Sequence, residues 1–143
     1  MNKDTEKLLK ECAAGTKMGE RALSMVIPHV KSPELKSTLE QSLKCHAIIG
    51  DEAKKALFSA RRRDKEPNAV AQIMSDVKIK AMLALNGSSS TAASLITDGC
   101  DMGAKAISRA LNSHPSASPS ARELAGRLVA AENSLRISLQ KFL

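Results

Sequence analysis

One short pattern is written twice in this chain. Gly15-Thr16-Lys17-Met18-Gly19 returns as Gly99-Cys100-Asp101-Met102-Gly103, 84 positions later. The register continues around it: Ala22 and Leu23 fall on Ala106 and Ile107, and Ser24 on Ser108. Ser32-Pro33 returns as Ser118-Pro119, now 86 positions later, so the second loop carries two extra residues. A duplication constrains the fold strongly, because each copy is expected to form the same local unit. It specifies no reaction.

With 143 residues the chain is the size of one domain. Its only aromatics are Phe58 and Phe142. The core must therefore be aliphatic, which suits helices better than sheets built on β-branched and aromatic residues. The net charge is +7, from 22 basic and 15 acidic residues. Such a balance favours acidic partners only in a nonspecific way. Cys12, Cys45 and Cys100 are an odd set without a CxxC pair, as expected for reduced thiols in the cytoplasm. The N-terminal residues are charged and lack the apolar stretch of a signal peptide. No apolar run approaches the roughly 20 residues of a membrane span. The expected location is cytoplasmic, with no membrane insertion.

Hydrophobic spacing predicts a first helix from about Asp4 to Ile27. Leu9, Cys12, Thr16, Gly19, Leu23 and Val26 follow steps of three and four along one face, and Pro28 stops the run. Ser32-Pro33 predicts the start of a second helix, with serine as N-cap and proline at the first turn. Its seam is Leu35, Leu39, Ser42, His46, Ile49, Ala53 and Ala56. It fades into the charged connection Arg61-Arg62-Arg63-Asp64-Lys65-Glu66. Pro67 predicts a short central helix to about Leu85, with Val70, Ile73, Met74, Val77 and Met82 as its apolar face and Asn86-Gly87 as its end. A third long helix, about Thr91 to Leu111, repeats the first through Ile96, Cys100, Gly103, Ile107 and Ala110. A fourth, from Ser118-Pro119 to the end, repeats the second through Ala121, Ala125, Leu128, Glu132, Leu135, Leu139 and Phe142.

The expected fold is all-α: one domain over 1–143, with hairpins at 4–60 and 88–143 and a crossover at 61–87. Short loops make each hairpin antiparallel, and one long crossover between them is the ferritin-like arrangement of four helices. The whole chain resembles an uncharacterised bacterial family of ferritin-like four-helix bundles. The resemblance rests on Leu8-Leu9-Lys10-Glu11-Cys12 before the Gly/Met/Gly segment, on Ser32-Pro33-Glu34-Leu35-Lys36, and on a central helix between two similar hairpins. It implies a bundle and self-association, and no reaction.

Glycine within a helix costs up to about 1 kcal/mol against alanine. The repeated Gly15/Gly19 and Gly99/Gly103 pairs are therefore expected where the first and third long helices cross tightly, with a ligand cavity as the alternative. A di-iron site requires Glu-x-x-His on two helices. Here His46 is preceded three positions earlier by Leu43, His29 by Val26 and His114 by Leu111, so that motif is missing. The candidates for an atypical metal site are His46, Glu132, Cys12 and Cys100, with Thr16 beside them on the seams; zinc accepts such N, S and O ligands. The competing expectation is a structural His46–Glu132 hydrogen bond, since a buried carboxylate needs a partner. Cys45 adjoins His46 but points about 100° away from it on a helix. The arginine run reads as a solvated helix end that complements the helix dipole, and nucleic-acid binding is not expected without stacking aromatics beside it.

No catalytic set and no cofactor site are visible. The sequence thus points to a non-enzymatic protein acting through a protein partner or a homo-oligomer, with a metal-handling bundle as the alternative.

Overall fold

In the computed structural model the described residues are 1–67, 76–80, 82–83 and 87–143. They form an all-helical structure with no strand among them. Helix α1 spans Lys3–Val26, α2 Pro33–Ser59, α3 Ser89–Ser113 and α4 Pro119–Leu139. Single 3-10 turns follow α1 at Ile27–His29 and α4 at Gln140–Phe142. Pro28 therefore sits inside a tightened turn rather than just beyond a helix.

The starts of all four helices follow from local chemistry. Asn2, Ser32, Ser88 and Ser118 each accept a hydrogen bond from the backbone N–H three residues on. Each thereby satisfies one of the four orphan donors of a helix N-terminus. Pro33 and Pro119 occupy the first turn of α2 and α4, where no donor is needed. The cap at Ser88 starts α3 two residues earlier than apolar spacing alone suggests.

Helix directions can be read from the ends that touch. The turn between α3 and α4 is tied to the start of α1: Ser116 N–H donates to Asp4, Ser118 N–H donates to Thr5 Oγ1, and Asn2 donates to the Ser116 carbonyl. Arg62 at the end of α2 pairs with Glu6 at 3.1 Å, and Lys141 after α4 pairs with Glu34 at the start of α2. Helix α2 is thus antiparallel to α1 and α4, and the α3 end beside Asp4 makes α3 antiparallel to α1 as well. Helix α1 packs on α2 and α3, and α4 packs on α3 and α2.

The connection after α2 climbs back along α1 through ion pairs. Arg62 meets Glu6, Lys65 meets Glu11, Asp64 and Glu66 meet Lys17, and Asp76 meets Arg21. From Glu6 to Arg21 helix α1 advances roughly 22 Å at 1.5 Å per residue. Each exposed pair contributes little on its own, about 0–1 kcal/mol. Together they hold residues 62–66 and Asp76 along α1.

Residues 76–80 and 82–83 are helical. Among these, Ile79 and Leu83 are buried and Val77 is 61% exposed. Of these described residues, Ile79 and Leu83 face inward, and Val77, expected inside, points out. Val70, Ile73, Met74, Leu85 and Asn86 lie outside the described residues.

The core is divided. One apolar cluster joins Leu8, Leu9 and Cys12 of α1 to Ile49, Ala53 and Leu57 of α2, with Ile107 and Leu128 from the second hairpin. The other joins Leu23 and Val26 to Leu35 and Leu39, with Ile96, Cys100, Leu135 and Leu139. The residues that lie between them in sequence on the four helices are Thr16 and Gly19, His46, Gly103 and Glu132. A polar layer at mid-height separates two aliphatic halves.

Candidate functional site

The polar layer holds His46, 1% exposed, and Glu132, 7% exposed. They come from α2 and α4, at equivalent places under the 86-residue offset. Both fall on apolar seams, so the helical period that buries Leu39 and Ile49 also buries His46, and the one that buries Leu128 and Leu135 also buries Glu132.

Both ring nitrogens of His46 are engaged. Nδ1 lies 2.8 Å from the Ser42 carbonyl, one helical turn back, and 3.3 Å from Ser42 Oγ. A carbonyl only accepts, so Nδ1 carries a proton. Nε2 meets Glu132 Oε1 in a short contact. Burial disfavours the charged imidazolium, but the Glu132 carboxylate outweighs it, helped by the Ser42 carbonyl and the charge on Glu20, and His46 is held above its ordinary value. The Glu132 carboxylate thus favours the protonated form of His46.

Two glycines make room for it. A Cβ at Gly19 would stand 2.6 Å from His46 Cδ2 and 2.9 Å from Nε2. A Cβ at Gly103 would stand 3.2 Å from the carboxyl carbon of Glu132. This corrects the expectation of a tight crossing between α1 and α3. The missing side chains are replaced by the buried pair, reached across each hairpin from α2 and α4. Gly15 makes ordinary contact with Ile107 and Leu128, and Gly99 is exposed with nothing within 4 Å, so the four glycines do not share one role. Helices do approach closely at Gly50, where a Cβ would lie 2.6 Å from Thr16 Oγ1. The Thr16 hydroxyl donates back into its own helix, toward the Cys12 and Ala13 carbonyls.

The four candidate ligands separate. Cys100 packs in the apolar cluster on one side of the pair, near enough to feel the Glu132 charge. Burial and the nearby Glu132 charge push its thiol up, so it is protonated. Cys12 belongs to the opposite apolar cluster, where burial pushes its thiol up to about 12. Among the described residues no group of three or more His, Cys, Asp or Glu side chains is arranged to hold a metal ion. His114 sits in the α3–α4 turn, 3.5 Å from Asp4, and His29 is exposed after α1.

His46 and Glu132 are legible in the sequence, and what surrounds them is not. Ser42, one turn before His46, was the available signal for the Nδ1 partner. The arginine run, expected to lack an aromatic neighbour, has Phe58 beside it, 82% exposed. Surface grooves among the described residues include one lined by Met1, Leu9, Glu52 and Arg127, one by Phe58 and Arg61–Arg63, and one by Pro28, His29 and Lys31. His46 and Glu132 line none of the three. No helix among the described residues is long and apolar enough to cross a membrane. No protein-family model, curated protein or solved structure matches the chain.

Proposed function

We propose that this chain is a ferritin-like four-helix bundle, made of two repeated hairpins, that acts without catalysis by associating with protein in the cytoplasm. The observation that carries this reading is the self-sufficiency of the polar centre. His46 spends both nitrogens on Ser42 and Glu132, and the ring fills the space left by Gly19. General acid–base work requires a group within reach of a substrate proton, and this pair faces only its own helices. The Cys100 thiol, held protonated, is no nucleophile. The up-down-down-up order of α1 to α4 and the crossover along α1 support the ferritin-like comparison.

The surface supplies what the centre lacks. Phe58 and Met102 are 82% and 70% exposed, the kind of side chain that anchors an interface.

The test compares the native protein with a His46→Gln/Glu132→Gln variant, both checked for helix content. Light scattering after gel filtration and crosslinking in cells should find the same assemblies for both. One equivalent of zinc or iron in protein from metal-supplemented medium, lost in the variant, would overturn this reading in favour of a metal-handling bundle.

A further inference from the structure

Phe58 is one of two aromatic residues in the chain and is 82% exposed, while the core is built from aliphatic side chains. The backbone beside it makes a second departure from the most stable choice. Helix α2 ends in a paired cap: Arg62 N–H donates to the Leu57 carbonyl at 2.8 Å, and Arg61 N–H to the Phe58 carbonyl at 2.9 Å. This closure places one residue in the left-handed region, usually glycine. Here Arg61 takes it, with φ 57°, the only non-glycine residue with positive φ among those described. A β-carbon is disfavoured in that conformation. An aromatic left in water thus adjoins an arginine where glycine is better suited. Such outliers point from structure toward function.

Phe58, Ser59, Arg61, Arg62 and Arg63 line one groove of about 510 Å³. The acids nearby are already engaged: Glu6 with Lys10 and Arg62, Glu52 with Arg127, Asp64 and Glu66 with Lys17. Arg61 and Arg63 have no acidic partner among the described residues. Their charge is available to a partner.

We propose that this groove docks an acidic protein segment, whose apolar side chain covers Phe58 and whose carboxylates pair with Arg61 and Arg63. The proposal rests on the protein-association reading and names the partner's chemistry. The guanidinium fork matches a carboxylate in bidentate geometry, and arginine beside an aromatic is the usual composition of an interface anchor. A nucleic-acid strand fits less well. Strand binders line up several stacking aromatics along a continuous basic track, whereas this cluster has one aromatic.

The probe is a short fluorescein-labelled peptide of alternating glutamate and leucine, titrated by anisotropy at low salt against the full chain. Phe58→Ala and Arg61→Gly should each weaken binding about tenfold or more. Arg61→Gly should at the same time raise the thermal midpoint, because glycine relieves the left-handed residue. That opposite pair of changes separates a docking role from a structural one. Unchanged peptide binding in both variants, or a lower midpoint for Arg61→Gly, overturns the proposal. Tighter binding of oligo-dT than of the peptide, lost in the same variants, makes the groove a nucleic-acid site and removes the protein-association reading with it. A native dimer that Phe58→Ala turns into monomer makes the occupant a second copy; that outcome overturns the acidic segment and leaves association standing.

Discussion

The two hairpins place different residues at equivalent central positions. In the first, α2 presents His46 to the space over Gly19; in the second, α4 presents Glu132 to the space over Gly103. Two histidines would bring like charges together when protonated, and two glutamates would compete for one proton. One of each makes a complementary pair across the centre. The two hairpins thus meet through unlike side chains at this layer, bonded to each other. The fit differs too: the Gly19 side is closed against a Cβ at 2.6 Å, the Gly103 side at 3.2 Å.

The largest expected effect breaks the pair from one side. His46→Leu strands a buried carboxylate and should cost about 3–5 kcal/mol. Glu132→Leu leaves a histidine that can become neutral and keep its Ser42 bond, and should cost about 1–3 kcal/mol. The His46→Leu/Glu132→Met double variant should recover most of the loss, since an apolar replacement of a buried pair is often neutral. Urea unfolding of all four proteins closes the cycle. Equal costs for the two single changes would mean that the carboxylate is not the more demanding partner.

The glycines come next. The His46 ring is pinned at both nitrogens and cannot move aside, so Gly19→Ala should overpack and cost about 1–3 kcal/mol. The Glu132 carboxyl can rotate by the few tenths of an ångström that Gly103→Ala demands. Alanine's better helix propensity, up to about 1 kcal/mol, should then leave that variant near wild type. Matching thermal midpoints for the two variants would show the two cradles to be equivalent.

A smaller effect is the pH dependence. His46 is raised in the folded state, so its contribution is fully present below its unfolded value and is lost as pH rises through the folded one. Stability should begin to fall above about pH 6.5, and this fall should be absent from the His46→Leu/Glu132→Met variant. The buried thiols act in the same direction at higher pH, because the unfolded chain ionises them first. A fall of the same size in wild type and double variant below about pH 8.5, the ordinary thiol value, would remove His46 as its source.

The smallest change is in reactivity alone. Cys45 is half-buried, whereas Cys12 and Cys100 are closed into opposite apolar clusters. A thiol reagent should modify Cys45 quickly in native protein and reach the other two only on unfolding. Rapid loss of Cys100 would mean that the layer around Glu132 opens.

Much of this molecule was legible from spacing. Helical period and the Ser-Pro starts placed all four long helices to within a few residues, because caps and prolines act locally. The same period put His46 and Glu132 inside, and the offset named them as partners. What the sequence could not decide was which neighbour fills a missing side chain. Gly19 and Gly103 signal only that something comes close, and tertiary packing chose the buried pair over a helix crossing. Cys12 and Cys100 share a seam type, yet the division of the core at mid-height sent them to opposite halves. Arg61 looked like part of a solvated charge run, and only the folded cap shows it in a left-handed conformation beside an exposed Phe58. Periodicity encodes which face of a helix turns inward; which atoms meet there depends on the rotation and height at which separate helices pack, and no single segment carries that information.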